Sequence, residues 1–393
     1  MKYARIGLYL IVVSFPVTSP AMAIDDLVVS GFFTVGATKA GSSATTDNGG
    51  ITDDVGFEND TRIGLQLLTH INPQMTMTAQ MVGRGSDNGY AADFEWAYID
   101  YALSDSFNVR AGKLKFPTYL ISDYVDVGYA YPWIRPPEEV YFSNPLTTIS
   151  GVDVLFRTRA GDMDLLVQPY IGSSKGESGI VPQETLMGID QAVTNALIPS
   201  HPLQGTVGTV QRVDFSAENF IGINASIGNQ YFTARAGYLE TDVTAAAFGV
   251  VDDKASFGSV GATIDWRNTV VYSEYFEREI QGGANMAFPN QKGWYTTLGY
   301  RFGNWLPHMT YAEVGDNDNP AAGCSALGCG VPIKQHSTAV GVRHDFARNA
   351  ALKLEVKRVS PDAAVAGMPK RGLFLTAPGE DVNIYSIALD TVF

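Results

Sequence analysis

Five histidines and two cysteines are the residues of this chain whose chemistry is most easily put to use. Nucleophilic hydrolysis needs a histidine set against a serine or an aspartate. His336 could approach Asp316 or Ser337, but nothing in the neighbouring sequence marks the pair as catalytic. His201 sits in Pro199-Ser200-His201-Pro202, which matches no recognisable motif, and His70 and His308 fall beside short turns. Cys324 and Cys329 lie in Gly-Cys-Ser-Ala-Leu-Gly-Cys-Gly. A metal site needs more ligands, and no nearby histidine or further cysteine supplies them. In an exported chain the pair is expected to form a disulfide that tightens a loop. No catalytic residue, metal or cofactor is expected.

Export is written into residues 1–23. Lys2 and Arg5 precede an apolar stretch from Ile6 to Val17, and Ala21-Met22-Ala23 is a small-x-small cleavage site. That stretch is too short to span a bilayer, which takes ~20 apolar residues. The full sequence has 27 basic and 41 acidic residues and a net charge of −14, and removal of Lys2 and Arg5 with the leader makes it −16. No later segment reaches 18 consecutive apolar residues. No nucleic-acid partner is expected.

The elements that must position any site are strands. Very short connections alternate with long ones along the chain: Ile71-Asn72-Pro73, Ser104-Asp105, Gly161, Asn229-Gln230, Arg267-Asn268, Gly303-Asn304 and Ala347-Arg348 are the short ones. Seven tight turns and eight longer loops then join sixteen strands, with both chain ends on the short-turn side. The strands are expected at 27–38, 58–70, 74–84, 92–103, 106–115, 151–160, 162–173, 218–228, 231–241, 256–266, 269–279, 292–302, 305–315, 336–346, 349–359 and 382–393. Most have the length of a tilted strand crossing a membrane.

Alternation sets the two faces. Ile63, Leu65 and Leu67 oppose Arg62, Gly64 and Gln66. In the last strand Tyr385, Ile387 and Leu389 oppose Ile384, Ser386, Ala388 and Asp390, and the first set reads as lipid-facing. Aromatics near strand ends, among them Phe32, Trp96, Tyr170, Trp266, Phe302, Trp305 and Phe346, read as interfacial girdles. An open sheet edge is not tolerated in lipid, so the first and last strands are expected to pair. This is an all-β, 16-stranded antiparallel transmembrane barrel, wide enough for an aqueous channel. Residues 24–393 form it.

Of the eight loops, 116–150 is the most informative. It is rich in Tyr, Trp, Pro and Ile, from Phe116-Pro117-Thr118-Tyr119 through Tyr131-Pro132-Trp133 to Val140-Tyr141-Phe142. Such composition suits a segment packed on protein, and non-strand backbone at membrane depth must be buried in protein or line a wet cavity. The loop is expected to fold into the lumen.

With the leader, the sixteen strands, the terminal Phe393, Arg110-Ala111-Gly112-Lys113 leading into Phe116-Pro117 and the long third loop, the chain resembles the Gram-negative porin family. The Pro-Glu-Phe-Gly loop sequence of general porins is replaced by Pro137-Glu138-Glu139-Val140-Tyr141. The resemblance implies an outer-membrane channel for passive diffusion of ions and small hydrophilic solutes. It implies a third loop that narrows the pore by setting carboxylates against wall bases. Carried over, the loop residues are Asp123, Asp126, Arg135, Glu138 and Glu139, and the wall bases are Arg62, Arg84, Arg110, Lys113, Arg157, Arg159 and Arg278. It also implies a homotrimer, although the second loop, 85–91, is short for the usual latch. Phe393 would serve recognition by the barrel-assembly machinery. The exposed acids Asp47, Asp53, Asp54, Glu58, Asp60, Asp316, Asp318, Glu380 and Asp381 read as solvation, with cation-bridged contact to lipopolysaccharide as the alternative. A channel specific for phosphate or dicarboxylates is the nearest other function, and an outer-membrane hydrolase a more distant one.

Overall fold

The computed structural model describes residues 27–41, 51–86, 89–144, 146–180, 186, 189–190, 193–195, 199–206, 212–282, 290–316, 334–363, 370 and 379–393. The leader and the Cys324–Cys329 pair lie outside these.

Sixteen strands follow in order. The first eight are β1 (Val28–Ala40), β2 (Arg62–Asn72), β3 (Met75–Ser86), β4 (Gly89–Ala102), β5 (Phe107–Lys115), β6 (Thr148–Ala160), β7 (Met163–Ile180) and β8 (Arg212–Gly228). The others are β9 (Phe232–Ala245), β10 (Val250–Trp266), β11 (Thr269–Ile280), β12 (Gln291–Tyr300), β13 (Trp305–Asp316), β14 (Lys334–Ala347), β15 (Ala350–Pro361) and β16 (Val382–Val392). Each pairs antiparallel with its neighbours, and β1 pairs with β16 to close the barrel. Phe393 completes the seam: its amide and carbonyl exchange hydrogen bonds with Gly31 at 3.0 and 2.9 Å. Closure leaves no unpaired edge in lipid.

The wall follows the alternation expected. Ile63, Leu65, Leu67, Tyr385, Ile387 and Leu389 are exposed on the outside, while Ile384, Ser386, Ala388 and Asp390 are buried inside. In β15 the parity is regular, with Ala351, Lys353, Glu355, Lys357 and Val359 all inward. The short-turn rim carries exposed Tyr231, Trp266, Tyr300, Phe302, Trp305 and Phe346. Three expected girdle aromatics turn inward instead. Phe32 and Tyr170 are buried, each directly across from a glycine, Gly64 and Gly222, on whose bare backbone the ring lies. Trp96 pairs across with the inward Gln80.

The barrel is also taller than expected on the loop side. β7 runs on to Ile180, β8 starts at Arg212, and β10 starts at Val250. There the strands are held by backbone pairing interrupted by bulges. In β8 the alternation continues through that stretch, with Val213, Phe215 and Ala217 buried between Arg212, Asp214 and Ser216, so this part of the extra length was legible in the sequence.

Candidate functional site

The interior is not an open cylinder. The third loop, between β5 and β6, crosses it and carries two short turns, Ser122–Tyr124 and Gly128–Ala130, and one helical turn, α1 (Glu138–Tyr141). Its apolar side packs on an aromatic inner wall. Tyr119 meets Phe257 edge-on at 5.3 Å, and Trp133 meets Tyr272 and Tyr295 at 4.9 and 5.6 Å. Phe116 packs on Phe220, and Phe257 stacks on Phe276. Burying such aromatics stabilises the loop as a core would, by roughly 1.5–3 kcal/mol per large side chain. The Trp133 indole also donates to the hydroxyls of Thr297 and Thr310 at 2.8 and 3.0 Å. A buried indole N–H needs such a partner.

Charged wall residues then fasten the loop at both flanks. On one, Asp126 lies 2.7 Å from Arg84 and 2.9 Å from Lys115, which also holds Glu95 at 2.6 Å. On the other, Lys357 pairs with Glu138 and, at 3.0 Å, with Glu139, which also accepts from Gln335. Arg135 bridges Glu138 at 3.2 Å and Asp60 at 2.6 Å, and donates to Thr38 and Ser386. Main-chain carbonyls are gripped as well. Lys353 donates to Gly128 and Trp133, both at 2.6 Å, and Arg343 to Tyr129 and Tyr131. Arg62 donates to the Tyr131 hydroxyl at 2.8 Å and to the Ile134 carbonyl, and Arg278 to the Ser143 carbonyl. Glu274 accepts from the Leu120 amide and from the Tyr141 hydroxyl.

The electrostatics follow. Burial pushes the Asp126 carboxyl up, but Lys115, Arg84 and Arg62 outweigh it and hold the group below the ordinary carboxylate range. Glu138 is lowered in the same way by Lys357 and Arg135 against its burial. These carboxylates therefore stay charged and act as fasteners. Asp123 differs: it pairs with Arg235 at 2.9 Å and its side chain remains 56% exposed.

The expected residues are thus brought together unequally. Asp123, Asp126, Arg135, Glu138, Glu139, Arg62, Arg84 and Arg278 meet at the loop. Arg110 points inward on β5 but binds Asp153 on β6 and lies over the Tyr98 ring. Lys113 has the opposite parity to Arg110 and lies 3.3 Å from Asp93. Arg157 and Arg159 are at the short-turn end of β6, where Arg159 pairs with Asp164 at 2.7 Å. The structure does not bring them to the loop. Asp60, read as a solvated loop acid, is buried against Arg135. His336 lies 2.7 Å from Asp362 and stacks on Tyr311, so its ion-pair partner is Asp362 and not the expected Asp316. Lys115, Lys353, Lys357, Arg343, Arg235, Glu274 and Asp390 were not singled out from the sequence. The signal for several of them was present, as an inward charge within an otherwise apolar strand face.

A family model described as Gram-negative porin matches residues 10–364. No curated protein matches the sequence. Among solved structures the chain is similar to OmpF of Salmonella typhi in complex with daunomycin, with a TM-score of 0.56 at 14% identity over 94% of this chain and 98% of that one. It is similar to OmpT, an outer membrane protein of Vibrio cholerae, with a TM-score of 0.56 at 10% identity over 93% and 97%. The anion-selective porin of Comamonas acidovorans gives 0.55 at 13% identity over 93% and 99%. At such identities the likeness is one of fold. The family match covers most of the sequence and the sixteen-stranded barrel closes end to end, so the chain belongs to the Gram-negative porin family and is a multi-pass β-barrel diffusion channel of the outer membrane.

Proposed function

We propose that the channel carries ions and small hydrophilic solutes through a narrow aqueous path beside the third loop, with no chemical step and no cofactor. The observation that carries this reading is the contrast among the loop carboxylates. Asp126, Glu138 and Glu139 are buried in ion pairs, whereas Asp123 stands 56% exposed. Asp123 and the 38%-exposed Arg84 side chain are then charges a passing solute meets. Asp126, Arg135, Glu138, Glu139 and Arg62 fix the loop that narrows the path, and Arg110, Arg157 and Arg159 line its approaches. Opposed fixed charges at such a narrowing filter ions and orient dipolar solutes.

A channel specific for phosphate or dicarboxylates is the second reading. It is favoured by the breadth of the loop's attachment and by inward Arg62, Arg84 and Arg110 on β2, β3 and β5. As a working unit we propose a homotrimer in outer-membrane lipid and lipopolysaccharide, exported with residues 1–23 and assembled through recognition of Phe393. The second loop, between Ser86 and Gly89, offers little length for a latch.

Single-channel recording with a salt gradient tests the reading. Ohmic steps in multiples of three support a trimeric diffusion channel. Small steps blocked by phosphate or dicarboxylates support the specific one. A His336→Ala variant that abolished a detergent-phase hydrolase activity would overturn the non-enzymatic reading.

A further inference from the structure

We propose that the Arg267-Asn268 turn, with Trp266, Thr269 and Tyr300 of the outer wall, is a binding site for the phosphate of an anionic glycerophospholipid in the periplasmic leaflet. The site stands on the lipid side of the barrel and does not depend on how solutes pass through the lumen.

The turn departs from its neighbours on the same rim. Gly161-Asp162 links β6 to β7 and Gly303-Asn304 stands between β12 and β13, and their glycines take φ of 66° and 60°. Arg267-Asn268 links β10 to β11, and there Arg267 takes φ of 57°, the conformation that glycine fills in the other two. That left-handed backbone is free for glycine and costly for a residue with a Cβ. A side chain kept at such a position against its backbone preference points to a use for that side chain.

The surroundings suit an anion at the membrane surface. Arg267 and Asn268 are exposed, and the Arg267 guanidinium carbon lies 4.4 Å from the centre of the Trp266 ring. Arg267 makes no ion pair among the described residues. The nearest acid along the strand, Asp265, has the opposite facing to Trp266 and is held by Arg301 at 2.6 Å. On the outward face Trp266 stands directly across from Thr269, and Thr269 directly across from Tyr300. The two rings are 51% and 45% exposed, and the small threonine leaves a notch between them. The Asn268 side-chain amide donates to the Tyr300 hydroxyl at 3.4 Å, which leaves that hydroxyl its own proton to donate outward.

A guanidinium, a carboxamide and two hydroxyls thus gather at one spot with no carboxylate among them. A guanidinium forks onto two phosphate oxygens, and such charge-assisted bonds are the strong ones. Trp and Tyr rings settle at headgroup level, and the short turns of a barrel of this class face the periplasm, where the leaflet is phospholipid. One step toward the membrane centre, Ile264, Val271 and Leu298 stand across from one another as the next outward row, which an acyl chain can cover. A free phosphate would meet the same donors but gain nothing from that row.

The test is native mass spectrometry of the detergent-purified barrel offered phosphatidylglycerol, diacylglycerol of the same chains, or inorganic phosphate. Wild type should retain phosphatidylglycerol in preference to diacylglycerol. Arg267→Gln should retain at least about tenfold less, the worth of a hydrogen bond to a charged group. Arg267→Gly suits the left-handed turn better than arginine does, so its barrel should fold, as heat-modifiable migration on gels would show, and it should lose the lipid equally. Wild-type retention in either variant overturns the proposal, as does equal retention of diacylglycerol by wild type. Displacement of the lipid by an equimolar amount of inorganic phosphate would make this a site for the free anion and overturn the lipid assignment.

Discussion

Lys353 and Asp390 lie 3.0 Å apart on neighbouring strands of the inner wall, and the same ammonium donates to the Gly128 and Trp133 carbonyls of the third loop. Asp390 also accepts from Thr34 across the β1–β16 seam at 2.6 Å. One ion pair therefore ties the closing strands of the barrel to the loop that fills it.

Replacing Lys353 by Met strands Asp390, which is 1% exposed, without its cation. Removing one partner of a buried pair costs about 3–5 kcal/mol, whereas replacing both by apolar residues is close to neutral. Lys353→Met should lower the unfolding midpoint in detergent, and Lys353→Met/Asp390→Leu should regain most of the loss. Equal losses in the single and double variants would show that the pair adds little to the fold.

Gly128 is where the loop comes closest to this pair. A Cβ there would stand 2.2 Å from Asp390 Oδ1 and 2.9 Å from Thr34 Oγ1. The strand ladder does not involve Gly128, so Gly128→Ala should still close its barrel while the loop sits badly. Its current should be larger and noisier than wild type, with heat-modifiable migration unchanged. Wild-type conductance in this variant would mean that the seat does not restrict the passage.

These relationships mark where the sequence is legible. Strand number, closure and facing can be read because lipid outside and polar groups inside impose a period of two on every spanning strand. The third loop declares itself by aromatic content that a solvated loop has no use for. Its electrostatic role does not follow from composition. Asp123 and Asp126 are equivalent as letters, yet one is exposed and the other is buried between Lys115 and Arg84. That difference depends on where a turn of the loop meets β3–β5, a contact distant in sequence. Inward aromatics such as Phe32 were misplaced for a related reason: the glycine that admits the ring is on the next strand. Lys353 and Lys357 stand at alternate positions of β15, so their facing was readable even though their partners were not.

The lowered carboxyl of Asp126 has a pH consequence with a fixed sign. A carboxyl held below its ordinary range by Lys115, Arg84 and Arg62 contributes stability that is fully present above the ordinary value of about 4. The contribution falls away as pH drops from there through the lowered value. Asp126→Asn should therefore be less stable than wild type at neutral pH, and the gap should narrow only in strong acid. Unfolding midpoints of both proteins across that range check this, and a gap that is constant with pH would rule out an ionised Asp126 as the fastener.

Asp123 offers the clearest test of the passage itself. Its partner Arg235 is largely buried, donates also to Asn224 at 2.9 Å and to the Leu120 carbonyl, and should keep its place without the acid. Asp123→Asn therefore removes one exposed negative charge and leaves the charge of the buried Arg235 unopposed beneath it. A unit charge ~4–7 Å from a permeating ion in a water-like medium is worth about 0.6–1 kcal/mol, which is about a three- to fivefold change in permeability ratio. The reversal potential under a salt gradient should shift toward anions by that factor, and less at high ionic strength, where screening shortens the reach of the charge. An unchanged reversal potential would place the ion path away from Asp123 and shift attention to Arg110 and Asp153.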